Sequence, residues 1–292
     1  MSTPALASSR SAVADYVELT KPRITLLVMF TSMVGFIMAS STLVPSRLAA
    51  ALLGTGFVAA GASVLNMVLE RQTDALMLRT RRRPLPAGRI RPLEAAFFGL
   101  TLTSLGLLEL ALLAGVLAAG VAFVTWFTYL FFYTPLKTRS SLSTIVGAFP
   151  GALPPVIGWA AARGGLDPGA CVLFAILFLW QIPHFLAIAW IYREDYARAG
   201  LPMLPVLDSD GRLTGRQAVA NSLALLLVSL APTAAGMTGY RYLVGALVLG
   251  AGLTVVALRA ALLRSQAAAR LLFLASIAYL ACLNALLLFD RR

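Results

Sequence analysis

Apolar residues run along this chain in blocks of about twenty, interrupted by short polar or Gly- and Pro-bearing stretches. The blocks fall at roughly residues 24–41, 48–69, 93–111, 113–133, 142–162, 169–191, 218–236, 242–260 and 270–289. A helix of about 20 residues covers the roughly 30 Å hydrocarbon core of a bilayer. The pattern therefore predicts an all-α polytopic membrane protein of about nine transmembrane helices, with the third and fourth closely joined. Thr20 and Pro22 read as the cap and first turn of the first span. The polar segment 1–19 has too little apolar length for a cleaved signal peptide, so the first span reads as a retained signal-anchor. The longest polar stretches, about 71–92 and 192–217, read as loops between spans, which leaves residues 1–292 as a single domain. A Leu-Pro step in each, Leu85-Pro86 and Leu204-Pro205, hints at a repeat of about four helices.

Composition agrees, since 59% hydrophobic and 12% charged residues exclude an ordinary soluble domain. The net charge of +12 would suggest a nucleic-acid partner in a soluble protein, but its placement argues otherwise. With nine alternating spans, 19 of the 24 Lys and Arg fall on the side that carries the N-terminus and five on the other. That asymmetry puts the N-terminus and the basic loops in the cytoplasm, makes the lipid bilayer the main partner, and leaves no case for nucleic acid. Cys171 and Cys282 lie in apolar spans far apart, and read as buried small hydrophobes, not as a disulfide or a metal site.

Candidate chemistry begins at NMVLERQTDALMLRTRRRPLP, residues 66–86. Asn66, Glu70 and Asp74 recur every fourth residue, so on a helix they share one stripe at the inner end of the second span. Carboxylates at that depth are costly unless paired, hydrated or bound to a cation. Oxygen donors of this kind suit Mg²⁺, which takes one or two carboxylates and completes its shell with water and phosphate. Arg79, Arg81, Arg82 and Arg83 follow, and guanidinium forks beside such a metal make a site for a diphosphate. The plainer alternative is Glu70 paired with Arg71 or Arg79, with the other arginines serving topology.

Two more stretches close on the same side. YTPLKTR, 133–139, supplies Tyr133, Lys137 and Arg139, either as a hydroxyl and two cations for an anion or as an interfacial belt. The fifth span carries Gly147, Pro150, Gly151, Pro154, Pro155 and Gly158, which predicts a bent helix or close packing around a cavity. The sixth contains the single histidine, His184, after Pro183 and near Trp180 and Gln181, and is followed by Glu194 and Asp195. Three inner helix ends thus converge on one basic, acid-bearing mouth of a cavity open to the cytoplasm.

LTKPRITLLV (19–28), NMVLERQTDALMLRTRRRPLPAGRI (66–90), YTPLKTRSSLSTIVGAFPGALPPVIGW (133–159) and FLWQIPHFLAIAWIYREDYARAGLPMLPV (178–206) together resemble the protoheme IX farnesyltransferases, or heme O synthases, a branch of the UbiA-type intramembrane prenyltransferases. The resemblance covers the first seven helices; the last two match only as generic spans. It implies Mg²⁺-dependent transfer of a farnesyl group from farnesyl diphosphate to the 2-vinyl group of protoheme IX, with addition of water, giving heme O and diphosphate.

It carries the first acidic motif onto Asn66, Glu70 and Asp74, with Glu where many members have Asp, and assigns diphosphate to Arg79, Arg83, Lys137 and Arg139. Tyr133 and Lys137 join the catalytic set, and Asp195 joins Glu70, Asp74 and Asn66 around the metal. The second acidic motif departs from the pattern, because Glu194 and Asp195 are adjacent instead of four apart. His184, Trp180, Gln181 and Phe185 are assigned to heme or the prenyl chain, with His184 orienting heme, by ligating its iron, or simply bonding within its kinked helix. Hand-over of product to a heme A synthase or a terminal oxidase is a further expectation. The rivals are a prenyltransferase for quinone precursors, which should lack WQIPHF and YREDYARAG, and a transporter, which would need polar residues crossing to the far side.

Overall fold

A computed structural model describes residues 11–292; Arg10 and the rest of segment 1–10 lie outside the described residues. Nine helices among the described residues are long and apolar enough to cross a membrane: Pro22–Ala39, Pro45–Leu76, Pro92–Ala114, Val116–Leu136, Ser143–Arg163, Pro168–Ile191, Arg212–Ala234, Tyr240–Leu263 and Gln266–Phe289. They are called the first to ninth spans below. Proline opens the first, second, third and sixth, where its missing N–H would have had no helical partner. Gly115, at φ 122°, alone separates the third span from the fourth, a backbone state that excludes other residues at this joint.

The start of the first span differs from expectation. Pro22 is its first residue, but Thr20 closes a short preceding helix, Ala12–Leu19, and the cap position belongs to Lys21 in the left-handed region at φ 47°. Thr20 instead donates its hydroxyl to the Val17 carbonyl at 2.8 Å. The kink between the two helices turns Lys21 inward. The cysteines differ too: Cys171 and Cys282 are free thiols exposed on the outside of the bundle. In lipid the outside is as apolar as the core, so composition could not separate the two locations.

The second, fifth and sixth spans are the most buried, with 61%, 67% and 56% of their apolar windows enclosed, against 22%, 17% and 22% for the third, fourth and eighth. The spans that carry the candidate chemistry are therefore the inner ones, with the notable exception of the fourth. The second and third spans approach closely through glycines: an added Cβ at Gly61 would lie 2.6 Å from the Gly99 carbonyl oxygen, and one at Gly106 2.6 Å from that of Gly54. Small residues of this kind let backbones touch where no water drives helices together.

Three spans are locally irregular near the basic end or the interior. The fourth widens into a π turn at Tyr129–Tyr133, which stacks the two tyrosine rings with centroids 5.4 Å apart. The fifth breaks between Ala152 and Pro154, and the sixth carries Pro183 inside its helix.

Candidate active site

Asn66, Glu70 and Asp74 do share one stripe of the second span, and each is met by a cation or hydroxyl from another part of the chain. Lys21 donates Nζ–H to Asn66 Oδ1 at 3.0 Å, and Asn66 Nδ2 donates to Thr134 Oγ1 at 3.1 Å. Thr134 in turn donates its O–H to the Tyr129 carbonyl at 2.8 Å, across the π turn. Lys137 Nζ lies 3.1 and 3.2 Å from the two Glu70 carboxylate oxygens. Arg83 closes the stripe with a 2.7 Å ion pair to Asp74, whose backbone carbonyl accepts from the Thr80 hydroxyl at 2.8 Å.

Glu70 is therefore paired with Lys137, and not with Arg71, which turns back to the Val68 carbonyl, nor with Arg79. Asp74 is 1% exposed and Asn66 2%, so these groups keep their polarity only because partners surround them.

The electrostatics of the two lysines diverge. Burial lowers the Lys21 pKa to about 8, Arg83 and Lys137 add repulsion, and Glu70 and Asp74 oppose the shift without cancelling it. Burial also works against Lys137, but the Tyr133 hydroxyl, Glu70 and Tyr196 outweigh it and hold its pKa above the usual lysine value. One lysine is thus a firm cation and the other a weakly held one. Both sit beside the same carboxylates.

The second acidic pair contributes through Asp195. Its carboxylate accepts from the backbone N–H of Leu78 and Arg79, both at 3.2 Å, just past the end of the acidic helix, and pairs with Arg198. Burial would raise the Asp195 pKa, but these donors overcome it and lower it. Asp195 therefore latches the sixth-to-seventh loop onto the acidic helix end. Arg79 stands over the Tyr192 ring at 4.8 Å, which places it on the same corner. Arg81, Arg82 and Arg139 are exposed and make no ion pair among the described residues.

Further in, Tyr133 packs on the fifth span where Gly147 leaves room; a Cβ there would lie 2.5 Å from the ring. Gln181 donates to the Ala148 and Leu177 carbonyls at 3.1 Å each, tying the sixth span to the fifth. Trp180 donates Nε1–H to the Ser276 carbonyl at 2.6 Å. Both side chains are buried with their donors engaged. His184 stacks on Trp180, with centroids 4.7 Å apart, touches Phe185 and Phe273, and holds Ser276 Oγ at 2.8 Å from Nδ1.

Sequence reasoning missed Lys21, Thr134 and Ser276. The first stood beside the cap proline in LTKPR, where topology alone explained a cation; the other two gave no signal beyond being hydroxyls in apolar runs.

Among the described residues no three His, Cys, Asp or Glu side chains converge as a ready-made metal cage. The donors still suit Mg²⁺. They are oxygen ligands on successive turns, and amine and guanidinium groups already stand at the places a cation would take. This is a two-carboxylate site completed from elsewhere, of the kind Mg²⁺ shares with phosphate oxygens.

An acid stripe gripped by cations stands at one end of a multi-pass helical bundle, an arrangement suited to an enzyme that handles an anionic substrate at the membrane surface. The sequence profile of the UbiA prenyltransferase family matches residues 28–283, and the chain belongs to that family. It is 49% identical over 287 residues to the protoheme IX farnesyltransferase of Solibacter usitatus (strain Ellin6076), covering 95% of this chain and 98% of that one. Solved structures share the fold at low identity. A digeranylgeranylglyceryl phosphate synthase superposes with a TM-score of 0.80 at 16% identity, covering 95% of this chain and 98% of that one. A UbiA homologue from Archaeoglobus fulgidus, bound to GPP and Mg²⁺, gives 0.63 at 17%, covering 94% and 99%. The chain is an integral multi-pass membrane prenyltransferase.

Proposed function

We propose that this prenyltransferase moves the farnesyl group of farnesyl diphosphate onto the 2-vinyl group of protoheme IX, with addition of water, releasing heme O and diphosphate. The near full-length identity to the protoheme IX farnesyltransferase of Solibacter usitatus supports the acceptor. The observation that carries the donor is the stripe of Asn66, Glu70 and Asp74 set against Lys21, Lys137 and Arg83. The basic loops gathered at that end support a cytoplasmic side for it.

Glu70 and Asp74, with Asn66 beside them, would hold Mg²⁺, and Asp195 stands at the end of the same helix. An ion held there would supply Lewis-acid chemistry, withdrawing charge from the diphosphate so that it leaves more readily. Lys137, Arg83, Arg79 and Lys21 bind the phosphate oxygens and stabilise the negative charge that grows as the carbon–oxygen bond breaks. This requires Lys137 and Arg83 to turn from their carboxylates to the ligand, an exchange of one anion for another that leaves no charge unpaired.

Stacked Tyr129 and Tyr133 present aromatic faces at the mouth, where an allylic cation needs stabilisation without a nucleophile. The vinyl carbon attacks that cation, and water adds at the carbon left electron-poor beside the porphyrin. His184 orients the heme, with Trp180, Phe185 and Gln181 framing its place. The product would then pass to a heme A synthase or a terminal oxidase.

The acceptor is tested by anaerobic incubation of the purified protein with farnesyl diphosphate and Mg²⁺, and with either reduced protoheme or 4-hydroxybenzoate. Farnesylation of the porphyrin alone is the expected result. Farnesylation of the aromatic acid alone would move the chain to the quinone-precursor group.

A further inference from the structure

The ninth span contributes a residue that controls the one histidine. Ser276 is fully buried, and its hydroxyl donates to the Phe273 carbonyl at 2.7 Å. A hydroxyl has a single proton, and with that proton on the Phe273 carbonyl, Ser276 Oγ is left to accept from His184 Nδ1, 2.8 Å away. In that arrangement Nδ1 carries the imidazole proton and Nε2 keeps its lone pair. Nε2 makes no hydrogen bond among the described residues and is not one of the sealed, unpartnered polar atoms. The ring itself has little freedom, stacked on Trp180 on one side and against Phe273 at 5.1 Å. Trp180 is in turn pinned by the Ser276 carbonyl, so one residue secures both the tautomer and the ring that backs it.

We propose that Ser276 is a positioning residue for the acceptor: it fixes His184 as the Nδ1–H tautomer and so presents the Nε2 lone pair to the iron of protoheme. The inference rests on the reading of heme as acceptor and deepens it. An imidazole that ligates a metal through one nitrogen commonly donates its other N–H to a fixed oxygen, which orients the ring and raises its basicity. Ser276 supplies that oxygen from a span where sequence resemblance was only generic.

The test is resonance Raman spectroscopy of the full-length protein in detergent with ferrous protoheme, comparing wild type with His184→Ala, Ser276→Ala and Ser276→Thr. Wild type should show an iron–imidazole stretching band and His184→Ala should lose it. Ser276→Ala should shift the band and weaken heme binding roughly 10-fold or more, and Ser276→Thr, which restores the acceptor, should return it. Heme binding in wild type without the band, or an unshifted band in Ser276→Ala, overturns the proposal while leaving heme as acceptor intact. No heme binding by wild type, with the protein still folded by size-exclusion profile, overturns both.

Discussion

Thr134→Val isolates the Asn66 network, because valine keeps the shape of threonine and removes only the hydroxyl. That hydroxyl accepts from Asn66 Nδ2 at 3.1 Å and donates to the Tyr129 carbonyl at 2.8 Å. The second loss is mild, since the Tyr129 carbonyl still accepts the Thr134 backbone N–H across the π turn. The first is not. Asn66 is 2% exposed, so its freed N–H has no water to turn to and only the Glu70 carboxylate beside it as an acceptor.

A buried donor left unpaired costs about 1–3 kcal/mol, whereas polar pairs between membrane helices average only about 0.6 kcal/mol when the groups can find new partners. The enclosure of Asn66 raises the cost and the neighbouring Glu70 carboxylate limits it, so about 1–2 kcal/mol is expected, a factor of roughly 5–30 in the folded-to-unfolded ratio. The amide is also freed to rotate, which loosens the Lys21 anchor and should raise the Mg²⁺ needed for half-maximal turnover about 10-fold. Thermal unfolding in one detergent and a Mg²⁺ titration of diphosphate release read the two effects, with Thr134→Ser restoring both. A valine variant that melts like wild type and needs no more Mg²⁺ would refute the network.

Other outcomes follow from single contacts. Lys137→Met removes the ion-pair partner of the enclosed Glu70, leaving it only the Asn66 amide and the field of Lys21, and should cost about 3 kcal/mol, while Glu70→Gln combined with Lys137→Met recovers most of the stability and none of the activity, read by melting and turnover together. Gly147→Ala drives a methyl group into the Tyr133 ring and should cost about 1–3 kcal/mol and lower kcat, seen in melting and initial rates. Asp15→Asn weakens the bonds of 3.0 and 2.9 Å from Arg89 that hold the Ala12–Leu19 helix, and limited proteolysis should then cut within that helix faster than in wild type. Cys171 and Cys282, exposed on the bundle's outside, should react in the folded protein with a membrane-permeant maleimide and not with a charged one.

The nine spans were legible because a bilayer demands about 20 apolar residues per helix, and each boundary carried a proline, a glycine or a charge. The acidic stripe was legible for a similar reason, as a spacing of four puts Asn66, Glu70 and Asp74 on one face whatever surrounds them. Partners were not. Lys137 meets Glu70 from 67 residues away, a pairing that depends on how the fourth span lies against the second. Lys21 was hidden by its surroundings, since a lysine at an inner helix end needs no explanation beyond topology, and only the left-handed turn at φ 47° aims it at Asn66. Ser276 and Thr134 sit in apolar runs where a hydroxyl ordinarily bonds its own helix. The thiols went the other way, because hydropathy cannot distinguish a lipid-facing cysteine from a buried one.

The central claim is that the acidic stripe ionises a prenyl diphosphate whose carbon chain ends on heme. Mass analysis of the porphyrin extracted after anaerobic incubation with reduced protoheme, farnesyl diphosphate and Mg²⁺, with Asp74→Asn run beside wild type, tests it most directly. A gain of one farnesyl and one water with wild type, and none with the variant, is the predicted result. An unchanged porphyrin mass with wild type, or full conversion by Asp74→Asn, would contradict the account.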